Sequence, residues 1–477
     1  MQENTQKICK SVLKMVTPAK GEKAKIWSLA QSLEEKVAIA SEHFSPEIEV
    51  RLEGSVAKDT WISREPDIDI FIQLPPTIPR KSLGKIGLKI ARKATEGFKQ
   101  VERFAEHPYL ESEADNTRVN IVPCYKTKQG EWLSATDRTP FHTDYIKKHL
   151  TEELKDEIRL LKKFMKGIHA YGAEIKVGGF SGYLCELLIL HYKSFIGTLR
   201  NFAQQEKDII IDIRGHYKEN KDKKVHFFKE PLIVIDPVDK KRNVASAVKP
   251  QKLYTFIAAA RAFLANPSIQ FFYPPETTPL TVEHLKRELK IRGTAIIFLK
   301  FGKVNAVPDV LWGQLYKSQR SLCKKIQRES FKILRSFSWS DEVRNNIFIF
   351  ELEQCFTSPV KQHIGPPLRK RMACRKFLEK HTGNPNTVSG PYIAEGKWVV
   401  DIFRRYTDVV ELLKEMLKDG GRKLGVAEKI SVKLREEFEI LVNDEIAGIY
   451  EKTTDFAKFL TDFLSGKPKW LSGYKNQ

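Results

Sequence analysis

Asp67 and Asp69 stand two residues apart in the run Asp67-Ile68-Asp69-Ile70. Side chains alternate faces along a β-strand, so both carboxylates point the same way. Two like charges that close repel unless a cation lies between them. Mg2+ takes hard oxygen ligands of this kind and typically keeps substrate phosphates in its shell. Gly54-Ser55 lies twelve residues upstream of Asp67, within Glu53-Gly54-Ser55-Val56-Ala57-Lys58. If that turn opens a helix, its free backbone N–H groups and hydroxyl hold a phosphate. Lys58, one turn on, neutralises the same charge. The ordered combination predicts metal-assisted chemistry on a nucleoside phosphate.

Those residues need strands and helices to position them. Residues 25–44 have helical periodicity through Leu29, Leu33, Val37 and Ala40. Strand-like runs at 47–52 and 68–74 flank the Gly-Ser turn. A proline-rich breaker at 75–79 precedes a helix over 81–98, with Lys85, Lys89, Arg92 and Lys93 off its apolar stripe. Runs at 101–105 and 117–122 read as strands, which makes a small α/β domain. Helices dominate from 152 to 210, including an apolar one at 183–195. Residues 218–229 are Lys-rich and read as a loop. Beyond 270 a second α/β unit follows: helices at 281–291 and 310–330, and strands at 295–301, 331–338 and 346–352. The mixed tail ends in a helical segment over 434–464.

The chain has 477 residues, 81 of them Lys or Arg against 60 Asp or Glu, for a formal net charge of +21. The length suggests about three domains. The charge predicts a polyanionic partner, with nucleic acid ahead of an anionic membrane surface. With 41% hydrophobic and 30% charged residues, the chain is globular rather than disordered. No apolar run approaches the length of a membrane span, and the first 20 residues lack the apolar block of a signal peptide. The six cysteines are scattered singly. They predict reduced, mostly buried thiols in a cytoplasmic protein rather than a zinc site or disulfide framework.

Gly-Ser followed a dozen residues later by a hydrophobic-flanked D-x-D resembles the nucleotidyltransferase superfamily of DNA polymerase beta and the poly(A) polymerases. Further segments narrow the resemblance: Ala105-Glu106-His107-Pro108-Tyr109, Asp137-Arg138-Thr139-Pro140-Phe141-His142, Gly179-Phe180-Ser181-Gly182-Tyr183-Leu184-Cys185-Glu186 and Asp236-Pro237-Val238-Asp239-Lys240-Lys241-Arg242-Asn243. In this order, over nearly the whole chain, they resemble the archaeal-type (class I) CCA-adding enzymes, which are tRNA nucleotidyltransferases. The resemblance implies an α+β multidomain fold. A polymerase beta-like catalytic head is expected at 1–145 and a helical neck at 146–265. An α/β body at 266–385 and a mixed tail at 386–477 would bind tRNA.

It also implies template-independent addition of C, C and A to the tRNA 3′ end from CTP and ATP. Asp67 and Asp69 match the metal-binding carboxylates. Gly54, Ser55 and Lys58 match the triphosphate turn, although the family often has arginine at the Lys58 position. Thr139, His142, Lys162 and Tyr171 match residues lining the nucleotide pocket. Arg242, with Asp236 upstream, matches the region that reads the incoming base. Taken without the resemblance, Lys162 is a solvated helix lysine, His142 a structural cap and Tyr171 a core aromatic. The implied partners are tRNA (acceptor stem and T arm), Mg2+ and a second copy in a homodimer, with no membrane.

One position departs from the pattern. The family carries a third carboxylate in a segment of the form V-D-V-V-P-C-Y, and here Asn120 stands in Val119-Asn120-Ile121-Val122-Pro123-Cys124-Tyr125. An amide is a neutral oxygen ligand and a very poor base, and general-base help alone is worth about 10²–10⁴-fold. Three readings stay open. The enzyme compensates, through Asp115 or Glu113 in the preceding loop or through a metal-bound hydroxide; or it is an impaired paralogue that still binds tRNA; or the asparagine is an engineered substitution. A poly(A)-type transferase shares G-S and D-x-D but not the downstream segments.

Overall fold

The computed structural model describes residues 2–104, 106–217 and 227–472. The Lys-rich stretch expected to be a loop lies outside the described residues up to 226, as does Ala105, expected to close a strand. The chain forms two compact units, one running to Glu276 with a return from Lys467, the other Thr277–Gly466.

The first unit begins with α1 (Gln2–Val16) and α2 (Lys20–Glu42). Then come β1 (Glu49–Glu53), the short α3 (Gly54–Ala57), β2 (Asp67–Leu74) and α4 (Arg80–Ala94). Strands β3 (Lys99–Phe104), β4 (Pro108–Ala114) and β5 (Thr117–Tyr125) complete a sheet of order β1-β2-β5-β4-β3. β2 and β5 run parallel; the other neighbours are antiparallel. The alternation in sequence sets the two faces. Ile68, Ile70, Ile72, Leu74, Val119 and Ile121 are buried against α2 and α4, and each such burial stabilises by about 1.5–3 kcal/mol. Asp67, Asp69 and Asn120 therefore point to the opposite face.

Five more helices follow: α5 (Thr139–His149), α6 (Glu152–Gly167), α7 (Gly182–Tyr192), α8 (Phe195–Ala203) and α9 (Pro250–Ala265). β6 (Ile209–Ile211) and β7 (Leu232–Val234) form a small parallel pair. The helices enclose an aromatic core in which Phe164 meets Phe195, Phe256, Phe263, Phe271 and Phe272. The apolar helix expected over 183–195 ends earlier, at Tyr192, and the next helix starts at Phe195. Lys193 adopts a left-handed φ of 65°, and the Ser194 side chain caps α8 by accepting from the Gly197 N–H. α1 was not expected, because its composition is mixed polar. Val12 and Val16 nevertheless bury into the same core as Phe164.

In the second unit β8 (Ala295–Phe301), β9 (Ile333–Ser340), β10 (Asn346–Leu352) and β14 (Phe438–Val442) form the sheet β14-β8-β10-β9. Both faces are covered. Ile297, Leu299, Phe348 and Phe350 enter one core, while Ile296, Phe298, Ile347 and Ile349 enter another. β11 (Val360–Pro367), β12 (Thr387–Ala394) and β13 (Lys397–Phe403) make a separate sheet of order β11-β13-β12. The expected helical segment over 434–464 is corrected. The alternation of Phe438, Ile440 and Val442 with Glu439 suits an edge strand, which pairs with β8; shorter helices Ala447–Lys452 and Thr454–Ser465 follow.

Candidate active site

The parallel register sets Asp67 beside Arg118 and Asp69 beside Asn120. Arg118 grips Asp67 with both arms, Nε to Oδ1 at 2.7 Å and Nη2 to Oδ2 at 2.6 Å. Asn120 Nδ2 donates to Asp69 Oδ1 at 2.9 Å. Burial pushes the Asp69 carboxyl up to about 6; the neighbouring Asp67 charge adds to this, while the Asn120 amide, Lys58 and Arg118 oppose it. Gly54, at φ 74°, packs on Asp69 so closely that a Cβ there would meet Asp69 Oδ2 at 2.0 Å. The turn therefore needs glycine both for its left-handed backbone and for this approach. Ser55 is half-buried in the first turn of α3, and its carbonyl accepts the Thr60 N–H at 3.0 Å.

The residues fit a divalent cation bound together with phosphates. Two carboxylates on one face plus substrate oxygens are what Mg2+ commonly takes, and Asp69 is destabilised as an anion until a positive charge comes close. The fit has one condition, that Arg118 releases Asp67. Among the described residues, no cluster of three or more His, Cys, Asp or Glu side chains is placed to hold a metal.

A second group lies behind the phosphate turn. Glu186 of α7 is 1% exposed and accepts from Lys58 Nζ at 2.6 Å, Thr60 Oγ1 at 2.7 Å and Lys162 Nζ at 3.0 Å. Both lysines are buried as well. Burial works against the Glu186 charge, but Lys162 and Lys58 together overcome it and hold the carboxyl down to about 2. Burial lowers the Lys162 ammonium, Glu186 raises it, and Lys58 lowers it further. One carboxylate thus serves two cations, and the group carries net positive charge. Arg159, also buried, fixes the intervening loop by binding Asp59 Oδ1 at 2.8 Å and the Trp61 carbonyl at 3.1 Å. Gly182, at the start of α7, lies against both the Tyr171 hydroxyl and Lys162. The Tyr171 hydroxyl is driven well up by burial, with charges including Glu186 and Asp67 adding to it.

The third group centres on Asp236, which is fully buried. It accepts from His142 Nε2 at 2.9 Å, Arg242 Nη1 at 2.7 Å, the Tyr183 hydroxyl at 3.2 Å and the Val238 N–H at 3.0 Å. Burial opposes its charge, but the His142 hydrogen bond and charge, the Arg242 charge and the Val238 N–H hold the carboxyl down to about 2. Burial lowers the His142 imidazole despite Asp236. Tyr183 stacks on His142 at 4.0 Å and lies 6.0 Å from Lys58, joining this group to the second. Thr139 opens α5 one turn before His142 and is half-buried. Arg242 also lines a cleft of about 910 Å³ with Trp132, Arg138 and Asp239.

The expected residues thus fall into three adjoining groups: Gly54, Asp67, Asp69 and Asn120; Lys58, Lys162 and Tyr171; His142 and Arg242. Sequence reasoning assigned no role to Glu186, Thr60 or Arg118. Glu186 had a readable signal, a lone acid inside Leu184-Cys185-Glu186-Leu187-Leu188. An acid in so apolar a helix must find partners when buried. Arg118 gave none, because its partner depends on which strands are neighbours.

Residues 33–155 match the nucleotidyltransferase domain family, 156–273 the tRNA nucleotidyltransferase second domain, and 292–443 the CCA-adding enzyme C-terminal domain. The CCA-adding enzyme of Methanothermobacter thermautotrophicus is 35% identical over 458 residues, covering 95% of this chain and 97% of that one. That of Methanosarcina barkeri is 35% identical over 457 residues, with the same coverage. That of Haloarcula marismortui is 31% identical over 466 residues, again covering 95% and 97%. Among solved structures, a cytoplasmic RNA terminal U-transferase aligns over 56% of this chain and 95% of its own, at 16% identity and a TM-score of 0.43. On its near full-length likeness to the archaeal relatives, the chain belongs to the CCA-adding enzyme family.

Proposed function

We propose that this chain adds C, C and A to the 3′ end of tRNA from CTP and ATP, releasing pyrophosphate. The observation that carries the reading is the near full-length family match, with Asp67 and Asp69 sharing one sheet face beside a net-positive Lys58–Glu186–Lys162 group. The tRNA 3′-hydroxyl attacks the α-phosphate in line. Asp67 and Asp69, with the Asn120 amide oxygen, hold Mg2+, which when bound offsets the charge developing on the phosphates. Gly54 and Ser55 cradle the triphosphate, and Lys58, Lys162 and Tyr171 face it. Thr139 and His142 line the pocket. Asp236 fixes Arg242 for base reading, where an unpaired polar group makes a wrong base costly.

In this proposal the head spans 1–145, the neck 146–265, the body 266–385 and the tail 386–477. Body and tail grip the acceptor stem and T arm, mostly through shape and backbone. The assembly is a homodimer working in the cytoplasm. No helix among the described residues is long and apolar enough to cross a membrane.

A second reading has its own observation: Arg118 binds both oxygens of Asp67 and Asn120 donates to one oxygen of Asp69, an arrangement that suits a chain binding tRNA without extending it. One assay separates the two. With tRNA lacking its 3′ end, incorporation of CTP and then ATP supports the proposal. ATP-only tailing indicates poly(A)-type chemistry. Binding without addition establishes the second reading.

A further inference from the structure

Glu111 in β4 pairs with Asn120 in β5, and Asn120 pairs with Asp69 in β2. Residues directly opposite on neighbouring strands share a face. Asp69, Asn120 and Glu111 therefore form one row, on the face that also carries Asp67. The other acids of this hairpin are placed differently. Glu113 lies opposite Arg118 and is half-exposed, 3.9 Å from Lys99. Asp115 occupies the turn itself, at a left-handed φ of 50°. Glu113 is thus a strand residue rather than part of a loop, and neither stands in the Asp69 row.

The Glu111 side chain is 19% exposed and is held by Arg103 at 2.7 Å. Its charge is felt at Arg118, the residue clamping Asp67. Adjacent strands are about 4.8 Å apart, so two spacings separate the Asp69 and Glu111 backbones by about 10 Å. Glutamate is one methylene longer than the aspartate it would replace. Mg2+ binds oxygen at about 2.1 Å and keeps several waters, so a carboxylate one strand further out acts directly or on a shell water.

We propose that Glu111, which with Asp67 and Asp69 forms no ready-made metal cluster, leaves Arg103 when a cation binds at the two aspartates and supplies the third carboxylate of this site from the neighbouring strand. The strand that carries Asn120 then needs no acid of its own. The assignment deepens the CCA-adding reading and rests on it only for its activity.

The test is Mn2+ affinity of the full-length protein, with free Mn2+ counted by electron paramagnetic resonance. Glu111→Gln keeps an oxygen for Arg103 and should weaken Mn2+ binding by about tenfold or more. Adding Asn120→Asp to that variant should return the wild-type affinity. Arg103→Gln leaves every acid in place and frees Glu111, so it should bind Mn2+ at least as tightly as the wild type. The proposal is overturned if Glu111→Gln matches the wild type, if the double variant binds no better than Glu111→Gln, or if Arg103→Gln binds more weakly. Nucleotide incorporation into tRNA lacking its 3′ end runs in parallel. Its failure alongside the expected Mn2+ pattern removes the CCA reading and supports the Glu111 assignment.

Discussion

Glu186→Gln removes one charge while preserving the shape of the buried side chain. Lys58 and Lys162, now 2.6 and 3.0 Å from a carboxylate, would face a neutral amide with no other acid within hydrogen-bonding distance of either ammonium among the described residues. The size of the loss follows from how firmly the carboxyl is held. It lies at about 2 instead of its usual 4.5. At roughly 1.4 kcal/mol per pH unit, that is on the order of 3 kcal/mol of stability at neutral pH. Breaking a buried pair from one side typically costs about 3–5 kcal/mol, which agrees. Urea titration should show this as a lowered midpoint.

The sign of the pH dependence is fixed. The folded carboxyl titrates below the unfolded one, so the contribution is full above pH 4.5 and disappears as pH falls toward 2. The wild type should lose stability through that window, and the variant should lose about 3 kcal/mol less of it. Adding Lys58→Met removes one of the stranded ammoniums, so the double variant should cost less than the two single changes summed. A Glu186→Gln protein within about 0.5 kcal/mol of the wild type would refute the buried-charge account.

The other expectations are briefer. Gly54→Ala drives a methyl into Asp69 at a left-handed φ, so incorporation should collapse and stability fall by about 1–3 kcal/mol; near-normal kcat would contradict the close packing. Asp236→Asn weakens the hold on His142 and Arg242 together. It should cost about 2 kcal/mol at neutral pH, a contribution the wild type loses as pH falls from 3.8 toward 2. The ratio of CTP to ATP use should also relax, and an unchanged ratio argues against base reading by Arg242. tRNA affinity should fall steeply with salt, each phosphate contact adding about 0.7–0.9 to the logarithmic slope; a flat response would mean the +21 charge is not used on RNA.

The sequence was most readable where local patterns coincide with burial. Ile68, Ile70 and Ile72 alternate with Asp67 and Asp69 and announce both strand and face. Thr281 announces the helix it caps, where its side chain accepts from the His284 N–H. β4 was missed because Glu111, Ser112 and Glu113 give it a polar texture; its inward positions are Leu110, Ser112 and Ala114. β11, β12 and β13 were missed for a similar reason, since most of their positions are exposed or half-buried. At the site, residues lying close in sequence were legible: Gly54 with Lys58, and Asp67 with Asp69. Contacts set by strand order were not. Arg118 on Asp67 and Glu111 across from Asn120 both require knowing that β5 lies between β2 and β4. Nor does local sequence show that Lys58 meets Glu186 across 128 residues.

That last contact bears on inheritance. The family match changes domain between 155 and 156, yet Arg159, Lys162 and Glu186 on the far side hold Asp59, Thr60 and Lys58 on the near side. A hybrid that joined this chain's first 155 residues to a diverged partner would set Lys58 against an acid it did not evolve beside. Recombination that spares the triphosphate pocket must therefore carry both segments as one cassette, and substitutions that remove the cation at Lys58 should be accepted only in lineages where the 186 position changes with them.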